Sequence, residues 1–142
     1  LKPHQLTYLF VCLFSILETN AQHQSVLKVQ LKTENAELTI EQELIFWNTS
    51  ELPIKKIVLN DWNNAFSSKN SALAKRFSDE FVRSFYYASE KELGKTTIFR
   101  IGDSNNKPLK YHRIENQIDL IEVELNDFLE PNQKITLKIN YN

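Results

Sequence analysis

Lys134-Ile135-Thr136-Leu137-Lys138-Ile139-Asn140-Tyr141 alternates polar and apolar side chains without a break. Successive side chains of an extended backbone point to opposite faces, so this rhythm puts Ile135, Leu137, Ile139 and Tyr141 on one face of a strand. The same period recurs upstream. Leu27, Val29 and Leu31 alternate with Lys28, Gln30 and Lys32, which predicts a half-buried strand. In the next stretch Leu38, Ile40, Leu44 and Phe46 share a face while Thr39, Glu41 and Glu43 take the other. Ile45 and Trp47 then make both faces apolar, so that end is expected to be covered on both sides. A turn over Asn48-Thr49-Ser50-Glu51-Leu52-Pro53 leads to Ile57 and Leu59 on one face of a third strand.

The period changes in the middle of the chain. Residues 61–70 are polar and rich in Asn and Ser, and the expectation is a loop pinned by Trp62 and Phe66. Leu73, Phe77, Phe81 and Phe85 recur at i+4, Ser71 can cap the first turn, and Asp79 can pair with Arg83. One helix or two short helices over about 71–93 is the reading, with Gly94 ending it in the left-handed conformation. The strand pattern returns at Thr96 and Ile98. After a turn over 102–108 it continues through Leu109, Tyr111 and Arg113, with Asn116-Gln117 as a tight connection. Ile118 and Leu120 are out of phase with Ile121, Val123 and Leu125, which predicts a β-bulge near Leu120-Ile121. Glu130-Pro131-Asn132-Gln133 is the last turn, and Pro131 falls outside the ladder. About seven strands with one helical insertion make the fold class mainly β, an antiparallel β-sandwich. No internal repeat is present.

Composition bounds the rest. Of the 142 residues 42% are hydrophobic and 25% charged, which suits a folded chain, and the net charge of −1 gives no electrostatic reason to bind nucleic acid. With only two glycines and four prolines, tight turns must rely on Asn and Asp, whose short polar side chains tolerate positive φ. The apolar run 6–17 follows Lys2 and His4 and leads to Thr19-Asn20-Ala21, the layout of a secretory signal cut after Ala21. Residues 1–21 are therefore expected to be a signal peptide and 22–142 the domain of an exported protein, with no stable membrane span after processing. Cys12, the one cysteine, lies inside the signal, which leaves no disulfide or thiolate chemistry for the remainder. The sequence lacks Met, and its last residues still alternate. The expectation is a fragment, incomplete at its C-terminal end, whose sheet lacks some neighbours.

Candidate chemical groups are sparse. His112 with Glu115 is the nearest approach to a metal pair, but a separation of three on a strand puts them on opposite faces. Glu122 and Glu124 share a face, as an acid–base pair would, yet they also fill the polar positions between Ile121, Val123 and Leu125. Lys55-Lys56 with Lys107, Lys110 and Arg113 could form an anion patch or the charged edges that discourage strand aggregation. Asn48-Thr49-Ser50 matches a glycosylation acceptor and also a turn, and the turn is favoured. The aromatic set Phe77, Phe81, Phe85, Tyr86 and Tyr87 reads first as a helix packed on a sheet, and second as an interface.

Four stretches together resemble the amino-terminal β-domain of aminopeptidase N-type zinc metallopeptidases, particularly secreted bacterial ones. Ala36-Glu37-Leu38-Thr39-Ile40 through Phe46-Trp47-Asn48-Thr49-Ser50 is similar to the long opening strand of that family and its Asn-containing turn. Ile57-Val58-Leu59-Asn60-Asp61-Trp62-Asn63-Asn64-Ala65-Phe66 resembles an apolar strand followed by an aromatic, Asn-Ala-Phe loop. Asn70-Ser71-Ala72-Leu73-Ala74-Lys75-Arg76-Phe77 is similar to the helical insertion after that loop. Ile121-Glu122-Val123-Glu124-Leu125, with Pro131 through Tyr141, resembles a hairpin that carries Gly in the family where this chain has Asn132.

These are scaffold motifs. The family places zinc on an H-E-x-x-H helix with a further Glu downstream, and a Gly-x-Met-Glu-Asn strand contacts the substrate amino terminus; neither motif occurs here. No catalytic, cofactor-binding or metal-binding residue is assigned to this chain. The resemblance implies a non-catalytic scaffold domain that packs on and orients a downstream peptidase domain of the same polypeptide. That domain would carry the zinc and act on peptide substrates. A stand-alone exported binding or adhesion sandwich and an inactive peptidase relative are the alternatives.

Overall fold

The computed structural model describes residues 23–34 and 36–142. The expected signal peptide and Cys12 lie outside the described residues. Seven strands form two antiparallel sheets: β1 (Gln24–Lys32), β2 (Glu37–Trp47), β3 (Ile54–Asn60), β4 (Ile98–Gly102), β5 (Lys110–Ile114), β6 (Gln117–Leu129) and β7 (Lys134–Tyr141). The larger sheet has the order β1-β2-β7-β4, and the smaller β3-β6-β5. Between β3 and β4 the chain makes a 3-10 helix (Trp62–Ser67), helices α1 (Ala72–Asp79) and α2 (Ser84–Tyr87), and a further 3-10 turn (Glu90–Glu92).

The alternating faces meet as the sequence requires. Leu137 and Ile139 of β7 are buried with Ile57, Ile101, Leu109, Ile121, Val123, Leu125 and Leu129 in one core between the sheets, flanked by Leu44, Phe46, Ile135 and Tyr141. Register explains the membership. Leu44 lies opposite Leu137, and Phe46 opposite Ile135. Ile101 lies opposite Ile139. Directly opposed residues share a face, so the apolar rows of three strands add into one surface.

β6 serves both its neighbours by slipping register. Against β3 it pairs regularly from Asn60↔Leu120 to Lys56↔Glu124. Against β5 the register shifts between Arg113, which faces Ile121, and Ile114, which faces Gln117, so the irregularity expected near Leu120-Ile121 occurs on that side alone. A second shift, between Ile54 and Lys56, has no counterpart in the phase of the sequence.

The turns use asparagine as composition demands. Asn106, Asn116 and Asn132 all have positive φ. Asn132 thus fills the position where a glycine would relieve the same steric conflict.

Several local expectations are corrected. β1 is a strand, but its side chains are exposed along its whole length rather than half-buried. α1 ends at Asp79 and Phe81 turns left-handed, so Arg76 pairs with Glu80 at 2.8 Å in place of the expected Asp79 with Arg83. Ser71 does cap α1, accepting from the Ala74 N–H at 3.1 Å. Gly94 has no positive φ; its missing side chain instead makes room for Asn63, whose Oδ1 a Cβ would meet at 3.1 Å. Trp62 is exposed, and the segment after β3 is held by buried Asn64 and Ala65. Ile45 and Trp47 are only half-buried, with Lys134 lying over the indole of Trp47 at 5.1 Å.

Asn48 is the polar centre of one end. Its Nδ2 donates to the carbonyls of Leu52 and Leu129, both at 2.9 Å. Its Oδ1 accepts from Ser50 N at 3.0 Å and Ser50 Oγ at 2.7 Å. Its backbone exchanges bonds with Gln133 O and Asn132 N, so one buried amide joins the β2–β3 turn, the end of β6 and the β6–β7 turn. A buried Nδ2 already engaged twice has no room for a glycan, which settles Asn48-Thr49-Ser50 as a turn. Asn48→Ala is expected to cost about 2–4 kcal/mol, because it orphans buried carbonyls as well as removing bonds. Urea denaturation measures this; a loss within about 0.5 kcal/mol, the size of an ordinary surface change, would show that Asn48 is not a hub.

Candidate interaction surface

The inner face of the larger sheet does not end where the core ends. Reading across the ladders, Val29 faces Ile40, which faces Tyr141; Leu27 faces Gln42, which faces Ile139; and Leu31 faces Leu38. Leu27, Val29, Leu31 and Leu38 therefore continue the surface that Leu137 and Ile139 bury further in. All four remain 45–61% exposed. The physical cause is a mismatch of width, since three strands face four and β1 pairs only with β2.

The opposite face of the same strands is mainly polar, with Val26 and, toward the far end of β2, Ile45 and Trp47 as the apolar exceptions. Lys28 faces Glu41, which faces Asn140; Glu43 faces Lys138; and Lys32 lies 3.9 Å from Glu37. One side of the overhang is thus dressed for water and the other for apolar contact. Gln42 marks the border on the inner side. Its Nε2 donates to Ser25 Oγ at 2.9 Å, and its Oε1 accepts from the Tyr141 hydroxyl at 3.1 Å. Burial, together with the negative charge of Asp61, pushes that hydroxyl above its ordinary pKa.

A polar lock holds the edge of the sandwich beside this face. Thr96 Oγ1 donates to Asp61 Oδ1 at 2.8 Å, and Arg113 Nη2 stands 2.8 Å from Asp61 Oδ2 as a charge contact without hydrogen-bond alignment. Arg113 also donates to the carbonyls of Ile118 and Thr96, at 2.8 and 3.1 Å. Asn64 adds a bond from Nδ2 to Ile118 O at 2.7 Å. The first 3-10 helix, β5, the start of β6 and the approach to β4 are tied by these few groups.

The residues singled out in the sequence do not assemble into one site. His112 lies on β5 and Glu115 in the turn beyond it; the carboxylate near His112 is Glu122, with Nε2 to Oε1 at 3.8 Å. Glu122 also takes a 2.7 Å bond from Lys56, and Glu124 faces Lys56 and Lys110 across the ladders. The carboxylate pair is thus surrounded by cations on the outer face of the smaller sheet. Lys55 donates to Asn126 O at 2.7 Å and sits over the Phe128 ring, while Arg113 belongs to the lock, so the five basic residues form no common anion patch. The aromatic set divides. Phe77 and Phe85 cluster with Phe66 at 5.6–6.3 Å, whereas Phe81, Tyr86 and Tyr87 are exposed.

Among the described residues no group of three His, Cys, Asp or Glu is placed to hold a metal ion, and no helix is long and apolar enough to cross a membrane. No family model matches the chain, and a search of curated proteins finds no match. The bonding roles of Asn48, Asn64 and Gln42 were not foreseen from the sequence. Their signal was only an abundance of Asn near turns and one polar residue in an apolar row.

The Lys56 hydrogen bond, reinforced by its charge and that of His112, holds Glu122 below the ordinary carboxyl value of 4.5. A depressed folded-state pKa contributes stability that is present above 4.5 and fades as pH falls through the folded value. Lys56→Gln should therefore raise the Glu122 midpoint in a carbon-detected NMR titration. An unmoved midpoint would mean that some other group sets it.

Proposed function

We propose that this chain is a non-catalytic scaffold module that buries its uncovered sheet face against a peptidase domain, orients that domain and walls one side of its substrate cleft. The reading rests on the overhang of Leu27, Val29, Leu31 and Leu38, an apolar continuation of the core surface with no second layer over it among the described residues. The resemblance to secreted zinc aminopeptidases supplies the kind of partner. In that reading the zinc and the peptide-cleaving chemistry reside in the partner domain, and the whole protein is exported.

Magnitude favours a partner in the same polypeptide. Fully burying a Leu or Val side chain is worth about 1.5–3 kcal/mol, so four half-exposed ones offer roughly 4 kcal/mol in all. Between separate molecules that corresponds to about millimolar affinity. Tethering converts the same contact into an intramolecular one, and a modest face then suffices to hold two domains.

Three tests bear on the proposal. The encoding gene read past codon 142 should specify an H-E-x-x-H helix with a later Glu, and an immediate stop codon would sink the reading. The 142-residue chain by itself should hold no zinc and hydrolyse no amino-acid arylamide. For the face itself, Leu27→Thr, Val29→Thr and Leu31→Thr combined should reduce binding of a hydrophobic dye, the remainder being carried by the exposed rings of Phe81, Tyr86 and Tyr87, while changing stability by less than about 1.5 kcal/mol, as befits solvent-facing strand positions. A loss of several kcal/mol would show those side chains to be core rather than interface.

A further inference from the structure

The helical excursion encloses a cleft of about 530 Å³ between α1 and α2, within the size range of small-molecule sites and separate from the sheet face. Its inner wall is a cluster of three aromatic rings. Phe77 and Phe85 stack edge-on at 5.6 Å, and both rest on Phe66. Its outer wall consists of Phe81, Tyr86 and Tyr87, whose rings face solvent.

Phe81 breaks a local rule. The N–H of Val82 donates to Phe77 O at 2.7 Å and that of Phe81 to Ser78 O at 3.1 Å, the paired bonds by which a left-handed residue closes a helix. Glycine, or sometimes Asn, normally takes that position, because a Cβ there costs about 1–2 kcal/mol. Here the residue is a phenylalanine at φ 60°, and its side chain is 82% exposed, so neither backbone preference nor burial explains it. A strained residue whose ring faces solvent points to a role in contact rather than in the fold.

The charged residues that line the cleft are all cations, although Asp79 and Glu80 lie between the lining residues Ser78 and Phe81. Lys69, Lys75 and Arg83 line it, no carboxylate does, and none of the three forms a salt bridge among the described residues. Lys69 lies 5.8 Å from the Tyr86 ring centre, and its charge also reaches Glu92, whose carboxyl is lowered chiefly by the Ser89 backbone bond. Arg76, on the same helix, is already paired with Glu80. Lys75 and Arg83 remain to meet an incoming charge.

We infer that this cleft binds an aromatic carboxylate, with the flat ring between Phe81 and the two tyrosines and the carboxylate toward Lys75 and Arg83. Aromatic walls favour an aromatic guest through stacked and edge-on contacts, and charge-assisted bonds select the anion over a neutral analogue. A free aromatic acid and the carboxyl terminus of a peptide ending in an aromatic residue present the same chemistry.

Titration of the chain with 3-phenylpropanoate and with 3-phenylpropanamide, followed by proton–nitrogen NMR shifts, tests the assignment. The carboxylate should bind at least about tenfold more tightly than the amide, with shifts confined to α1, α2 and their connection. The double variant Lys75→Gln, Arg83→Gln should erase that difference and leave amide binding unchanged. Phe81→Gly should weaken both ligands yet raise the thermal midpoint, since glycine suits the backbone there. Acetyl-Gly-Phe compared with 3-phenylpropanoate then separates a peptide terminus from a free acid by which binds tighter. Equal affinity for acid and amide, no saturation at millimolar concentration, or an unchanged affinity in Phe81→Gly would overturn the inference.

Discussion

Strand β7 lies between β2 and β4 and carries the apolar row that every other layer addresses. Leu137 is fully buried, as is Val123 of β6 in the opposing sheet. Burial of these two central strands is the constraint on which the sandwich depends. It sets the register of β2 through Leu44↔Leu137, and of β4 through Ile101↔Ile139. It also explains why β6 must shift register, because one strand supplies the core while pairing with two neighbours of different length. Moving β6 or β7 by one residue would exchange its central apolar row for a polar and charged one.

Polar groups finish what the apolar faces begin. Hydrophobic contact is non-directional and leaves the turns free to choose among arrangements. Asn48 at one end, and Asp61 with Arg113, Thr96 and Asn64 beside β5, remove that freedom by satisfying specific buried carbonyls. Such networks cost little when complete and much when one member is lost, which makes them determinants of a single structure rather than large contributors to its stability.

Among the described residues two surfaces stand out once the core is closed, and they differ in chemistry. The overhang at β1 and β2 is aliphatic and backed by a mainly polar outer face, suited to a large apolar partner. The cleft on the helical excursion is aromatic, concave and rimmed by cations, suited to a small anion. A module can use both at once, because no residue is common to the two.

Much of the scaffold was legible from sequence. Two-residue alternation located six of the strands and a return of strand character at Ile98 the other, the phase change at Leu120-Ile121 announced a register shift, Ser71 marked a helix start, and scarce glycine forecast asparagine at positive φ. These are local properties, encoded in the geometry of a few consecutive residues. What stayed hidden depends on which elements become neighbours. Leu27, Val29 and Leu31 alternate as cleanly as Leu137 and Ile139, yet only the relative width of two sheets leaves the first row exposed and the second buried. Phe81 has the spacing of a core residue, but the helix ends beneath it and turns it outward. Periodicity by itself determined which side chains share a face; tertiary structure alone decided which faces are covered, because coverage is a contact between segments distant in the chain.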